Sequence, residues 1–276
     1  MSDDFDLQMN AEASLRRTDT VAETGRLGGR HYAAAMLAKL SALHPLAEED
    51  RNLVETLVGS EGRVLTPGAD ITSEGDRTDV VHVILEGHAY RYKILPDGKR
   101  QIIGFLVPGD FCDLYGFLLD QMDHSIAART ACRVIDLTED DILTMTDRPL
   151  LARALWWSSL VDGAILREWL VNVGRRSADR RVAHILCELL MRLRVVGLAD
   201  EHTFRLTLSQ SELADTVGLT AVSVNRALQN MRRAGLINTN GREISIPDVD
   251  RLMRFGDFDP KYLHFRALRD EGATRR

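Results

Sequence analysis

Arg226 and Arg233, with Asn225, Gln229 and Asn230 near or between them, lie in a stretch from 219 to 242 that holds no Asp or Glu. A guanidinium can donate two hydrogen bonds to guanine O6 and N7, and a carboxamide can pair with adenine in a similar two-point way. Placed on a helix at about 100° per residue, Val224, Leu228 and Met231 fall on one side. Arg226 and Arg233 fall nearly opposite, with Val222, Ser223, Asn225, Gln229 and Asn230 spread around them. An ordinary exposed helix mixes Glu and Lys at such places. This one offers two guanidinium groups, three amides and a small hydroxyl, a set suited to hydrogen bonding with base edges. The competing reading is a generic helical hairpin.

The flanking residues supply the elements that such a helix needs. Ser209 followed by Glu212 forms an S-x-x-E capping box, with Leu208 and Leu213 placed as a hydrophobic staple. The helix that starts there runs to about Val217. Gly218 permits a tight turn, and Thr220 can cap the second helix. After Gly235, LINTNGREISI reads as a β-hairpin turning at Asn240-Gly241, the wing of a winged helix-turn-helix. Upstream, Val182, Ile185, Leu186, Leu189, Leu190 and Leu193 follow helical spacing, Gly197 ends that helix, and TFRLTL (203–208) alternates as a strand does.

The rest of the chain has a different texture. Residues 1–30 show no sustained periodicity and read as largely disordered, with GRLGG (25–29) a flexible linker lacking the spacing of a phosphate loop. Helical patterns at 31–43 and 47–58 are separated by Pro45. From Gly62 to about Asp141, short β-type runs are broken by Gly75, Gly87, Gly98 and Gly109, a regular spacing that indicates an antiparallel β-roll or jelly roll. Of the 24 residues from 150 to 173, 16 are apolar and lie all round a helical wheel, so this helix is buried on more than one side. Arg153, Asp162, Arg167 and Glu168 argue against a membrane span. The preferred placement is between the roll and a second copy of the same helix.

The 276-residue chain carries a net charge of −6, unevenly distributed. Residues 31–150 hold 11 Lys/Arg against 20 Asp/Glu, whereas residues 172–254 hold 13 Arg against 9 Asp/Glu. The sign change suggests that one part faces a polyanion and the other does not. The acidic start lacks the pattern of a signal peptide. Cys112, Cys132 and Cys187 form no CxxC pair, and a reducing cytoplasm is the expected setting. The absence of HExxH, GxSxG, a Walker loop or paired CxxC argues against an enzyme, and no catalytic residue or metal site is assigned.

Over about residues 31–250 the chain resembles the CRP/FNR transcription regulators, the catabolite activator and fumarate-nitrate regulator group. The resemblance lies in GRVLTPGADITSEGD, in VILEGHAYRYKILPDGKRQIIGFLVPGDF, in the long helix and in SQSELADTVGLTAVSVNRALQNMRRAGLI, with order and spacing preserved. It implies an α+β chain with an N-terminal antiparallel β-roll, a long central dimerisation helix and a C-terminal winged helix-turn-helix. The corresponding segments are 1–30 disordered, 31–148 roll sensor, 149–175 dimerisation helix, 176–254 DNA-binding domain and 255–276 a C-terminal extension forming an added helix of unknown role. Expected partners are double-stranded DNA with a palindromic operator, a second copy of the chain and RNA polymerase, which the PDGK turn (96–99) resembles a site for. No membrane partner is implied, and the location is cytoplasmic.

By the same resemblance, Arg226 falls on the guanine-reading arginine, Asn225 on a position that helps choose the neighbouring base, and Ser209 and Gln210 where the first helix meets phosphate. The candidate DNA-contacting set is Ser209, Gln210, Thr220, Val222, Ser223, Asn225, Arg226, Gln229 and Arg233. Val222 departs from the pattern, because many members carry there a glutamate that accepts from cytosine. In the sensor, Leu114 replaces the glutamate for ribose and His124-Ser125 replaces the Arg-Ser pair for phosphate, so cyclic AMP is disfavoured. The candidate effector pocket is Cys112, Leu114, His124 and Ser125, for an effector of unknown identity. With Cys112 the first cysteine, an N-terminal iron-sulfur cluster is disfavoured, and Cys112 reads as a small buried hydrophobe before a redox switch. His82, His88 and His124 specify no haem site by their spacing. The alternative function is a ligand-binding roll acting through protein contacts, with a vestigial DNA-binding domain.

Overall fold

The computed structural model of the protein describes residues 30–59, 62–114 and 116–265. The expected disorder and linker at residues 1–29, and the end of the C-terminal extension at 266–276, lie outside them. Two helices open the described chain, α1 (Arg30–Leu40) and α2 (Glu48–Val58). Glu48, Glu49 and Asp50 occupy the first turn of α2, where the helix dipole favours negative charge.

The glycine-punctuated region then forms strands β1 (Arg63–Leu65), β2 (Asp70–Thr72), β3 (Val80–Glu86), β4 (Ala89–Ile94), β5 (Arg100–Leu106), β6 (Ser125–Ala128) and β7 (Cys132–Thr138). They pair antiparallel in two sheets, ordered β1–β7–β3 and β2–β6–β4–β5. Ile71, Ile84, Leu106, Cys112, Met122, Ile126 and Val134, drawn from both sheets and their connections, form one buried cluster in the roll. Gly109 adopts φ +84°, and a Cβ there would lie 2.5 Å from the Ala35 carbonyl oxygen. Only glycine lets the Gly109-Asp110-Phe111 turn lie against α1.

Helix α3 (Glu139–Thr146) starts at a reciprocal capping box between Thr138 and Asp141. Pro149 sits at the first position of the next helix, where its missing N–H costs nothing, and opens α4 (Pro149–Arg175) of 27 residues. Leu151, Ala154, Leu155, Ile165 and Trp169 of α4 are buried. Arg91 from β4 ties α4 to the roll, donating to Asp162 at 2.8 Å and to the Phe111 and Cys112 carbonyls. On the other side Trp156, Leu160 and Leu170 stay 73%, 68% and 75% exposed. Among the described residues no helix is long and apolar enough to cross a membrane.

Extended backbone at Arg176 and Ser177 breaks the helix before α5 (Ala178–Val195) begins. Helix α5 buries the periodic leucines expected of it, and with them His184, Glu188 and Arg192. Buried charge must be paired and hydrogen-bonded, and here it is. Arg192 donates to Asp110 at 3.0 Å, to Glu188 at 3.2 Å and to the Phe105 carbonyl at 2.7 Å. Lys39 of α1 pairs with the same Asp110. Glu188 also accepts from Trp169 Nε1 of α4 at 2.9 Å and from the Tyr262 hydroxyl at 2.7 Å. Burial pulls the Lys39 ammonium down to about 8 in spite of Asp110 beside it. Burial alone would raise the Asp110 carboxyl, but Lys39 and Arg192 outweigh it and hold it low.

After the wing the chain forms α8 (Val249–Phe255), then a short 3-10 turn at Pro260–Leu263. The described part of the C-terminal extension is thus a strap rather than a regular α-helix. Phe258 and Tyr262 pack their rings against His184, and Phe265 lies 6.0 Å from the Trp157 ring of α4. Asp257 accepts from Arg176 through its carbonyl and pairs with Arg180 at 2.6 Å.

This burial has a pH consequence. Burial and the nearby Arg176 charge hold the His184 imidazole down to about 3, and burial likewise holds His88 to about 4. Both values lie below the ordinary histidine range near 6.5, so below that pH the unfolded chain binds more protons than the folded one. Stability is therefore full above about pH 6.5 and falls as pH drops. Urea midpoints taken from pH 7.5 to pH 5 should show a loss of about 2 kcal/mol attributable to His184, with His88 adding in the same direction. The slope should shrink in His184→Gln, and an identical slope in that variant would exclude His184 as its source.

Candidate nucleic-acid interface

The reading elements are fixed locally before they are packed. Ser209 Oγ accepts from the Glu212 amide at 3.2 Å, and the Glu212 carboxylate accepts from the Ser209 amide at 2.7 Å. That box starts α6 (Gln210–Val217), which Gly218 ends in the left-handed conformation at φ +63°. Thr220 Oγ1 accepts from the Ser223 amide and so caps α7 (Ala221–Arg233). Val224, Ala227, Leu228 and Met231 of α7 are buried in the same cluster as Leu213, Val217 and the apolar face of α5. The wing follows as β9 (Asn238–Asn240) and β10 (Glu243–Ser245), turning at Gly241. It joins β8 (Thr203–Arg205) in a sheet ordered β8–β10–β9. The strand itself is shorter than the alternation over 203–208, with one further bond in register from the Leu206 amide to the Arg242 carbonyl opposite it.

The outer face of α7 divides in two. Arg226 is exposed and has no hydrogen-bond or ion-pair partner among the described residues, and Val222 is 79% exposed. Asn225 donates from Nδ2 to Gln210 Oε1 at 3.0 Å and accepts at Oδ1 from Gln229 Nε2 at 2.8 Å. Three candidate residues from two helices thus form one chain of amides. Thr220 and Ser223 are occupied with the cap, the Thr220 hydroxyl donating to Ser223 Oγ at 3.0 Å. Asn230 points elsewhere, donating to Asp179 of α5 at 2.9 Å, and Arg233 donates to Asn230. The wheel places Asn230 with the reading residues, whereas it braces α7 against α5, which lies behind that edge of the helix. Arg232 donates to Thr239 of the wing and Arg242 to the Thr207 carbonyl. These two exposed cations were not among the sequence candidates; their position, one just before the hairpin and one in its turn, is the signal that could have found them.

Helix α6 is also fastened to the roll. Arg100 of β5 donates to Asp215 at 2.8 Å, Gln101 donates to the Thr216 carbonyl, and Arg129 pairs with Glu212 at 2.6 Å. An open cleft of about 690 Å³ beside these contacts is lined by Leu95, Lys99, Gln101, Asp215 and Leu219.

The four effector-pocket candidates do not converge. Cys112 lies inside the roll, where burial and the neighbouring Asp113 push its thiol well above the usual range. Leu114 packs with the helical cluster that contains α1 and the start of α4. His124 pairs with Asp123 at 2.6 Å, and Ser125 accepts from the Glu74 amide at 2.9 Å. Lys93 closes this rim, pairing with Glu74 and donating to the Asp123 carbonyl. A cavity of about 30 Å³ among Lys39, Asp110, Asp162 and Arg192 has room for a water-sized group. His82 is buried against Asp113, and among the described residues no group of three or more His, Cys, Asp or Glu is placed to hold a metal.

A capped helix-turn-helix with an unpaired arginine on its outer face, a β-wing and a β-roll behind it define a winged-helix DNA-binding protein. Residues 62–148 match the cyclic nucleotide-binding domain model, and residues 180–255 match the Crp-like helix-turn-helix domain model. The nitrogen fixation regulation protein FixK of Bradyrhizobium diazoefficiens is 34% identical over 190 residues, covering 67% of this chain and 77% of FixK. The transcriptional activatory protein AadR of Rhodopseudomonas palustris is 32% identical over 208 residues, 73% of this chain and 78% of AadR. The structure of FixK2 from Bradyrhizobium japonicum superposes with a TM-score of 0.62 at 26% identity, covering 70% of this chain and 95% of FixK2. The chain belongs to the CRP/FNR family and is a DNA-binding transcription regulator.

Proposed function

We propose that the protein acts as a homodimer on a twofold-symmetric operator, with α7 of each copy in the major groove and Arg226 donating to a guanine. The observation that carries this reading is the unpaired Arg226 guanidinium on the exposed face of a helix whose back is locked in the core. Gln210 and Ser209 lie at the start of α6, where amides and the helix dipole favour a backbone phosphate. Arg232, Arg233 and Arg242 add positive charge along the same side. The working division of the chain is 31–148 sensor roll, 149–175 dimerisation helix and 176–254 DNA-binding domain, with the strap from 255 closing onto α4 and α5. The family is one of transcription regulators, which supports a non-catalytic role in the cytoplasm with RNA polymerase as a further partner. The roll takes a signal other than cyclic AMP, since Leu114 and His124 offer neither carboxylate nor fixed cation to a nucleotide.

The test is a titration with operators selected from random duplexes. The expected result is a sequence-selective complex that weakens steeply with salt, at twice the chain mass. Absence of selectivity would overturn the reading. The dimer has its own check. Trp156, Leu160 and Leu170 recur at four and ten residues along one exposed edge of α4, a stripe suited to a second copy of the helix. Leu160→Asp should leave the monomer folded, because the side chain is exposed, and should raise the dimer dissociation constant at least about tenfold, read by sedimentation.

A further inference from the structure

We infer that Val222 reads the 5-methyl group of a thymine within about two base pairs of the guanine taken by Arg226. This rests on the proposed placement of α7 in the major groove. A single exposed valine ordinarily means nothing, but this one shares a helix face with the reading residues, four positions before Arg226. Four residues advance about 6 Å along a helix, and base pairs along one strand are about 3.4 Å apart. The two side chains therefore address pairs one to two steps apart. At 79% exposure, Val222 is the largest apolar group on that face. The one apolar group that a base pair presents in the major groove is the thymine methyl.

The amide chain fixes the residue next to Arg226. Asn225 spends its oxygen on Gln229 and one N–H on Gln210, and a carboxamide has two N–H donors in all. What remains is one N–H and the oxygen's second lone pair, on an amide whose plane is already fixed by its two neighbours. Gln210, in turn, keeps its own NH2 free for a backbone phosphate. Val222 is then the apolar contact on this face, with Asn225 held in place by its amide neighbours.

The experiment uses the full chain and its selected operator, with the thymine within two base pairs of the guanine replaced by uracil, which removes only the methyl. Binding should weaken about threefold per half-site and about tenfold with both altered, the scale of one buried methyl group. Placing cytosine at that position should also weaken binding, and 5-methylcytosine should recover part of the loss. Val222→Glu should prefer the cytosine operator, because its carboxylate accepts from N4, and should not distinguish thymine from uracil. Equal affinity of the wild type for thymine and uracil operators, with Arg226→Ala still weakening both, overturns the inference and leaves the reading of Arg226 standing. Failure to select any operator overturns both.

Discussion

Arg226→Ala is expected to weaken operator binding by ~1–3 kcal/mol per half-site, about 5- to 150-fold, and twice that free energy in a dimer that engages two. The side chain carries no structural duty that would confound the measurement. It is exposed and has no partner among the described residues, while α7 is held by Val224, Leu228 and Met231 on its other side. The loss should fall on specificity: affinity for random DNA, set by phosphate contacts, should change little. Arg242→Ala should behave in the opposite way, lowering all affinities together and reducing the salt slope by about 1. Filter or anisotropy titrations at several salt concentrations separate the two. An Arg226→Ala protein that kept the wild-type ratio of operator to random binding would remove Arg226 from the reading set.

The second large effect is on stability. Arg192→Ala should cost about 3–5 kcal/mol, because it strands buried carboxylates instead of deleting a whole pair. Asp110 would keep Lys39, but Glu188 would face only the neutral donors Trp169 and Tyr262. Against a total stability of about 5–15 kcal/mol for a folded domain, such a chain would be marginal at 37 °C. Charge is the cause, so neutralising both partners should recover much of the loss. Arg192→Met with Glu188→Gln should lie closer to the wild type than Arg192→Ala alone. Urea denaturation measures both, and a loss below about 1 kcal/mol for Arg192→Ala would show that water reaches the pair.

What could be read from the sequence was what is decided within a few residues. Ser209 with Glu212, Gly218 and the Asn240-Gly241 turn each act on their own neighbours, and the helix-turn-helix and wing follow from them. The Thr138–Asp141 box was equally local and was there to be found. The α4 stripe was visible only as excess hydrophobicity, since the wheel was apolar all round and could not say which side the roll would cover. Partnerships between distant residues left no trace. Arg192 with Asp110, Arg100 with Asp215 and Arg129 with Glu212 join residues some 80 to 115 positions apart, and no periodicity connects them. Asn230 shows the limit of a wheel: it sorts side chains by angle about one axis, and α5 lies where that angle promised solvent.

The strap from Asp257 to Phe265 changes the mechanics of the break at Arg176 and Ser177. Two rods meeting at an extended joint make a hinge, free to swing. Here the chain returns past the joint and is fastened to both rods, to α5 through Tyr262 with His184 and Glu188 and to α4 through Phe265 with Trp157. A hinge with a cross-member is a triangulated frame, and a frame transmits a push instead of absorbing it. Fastened to both rods, the cross-member is expected to limit the swing between them, and its removal is expected to widen the range of angles at the joint.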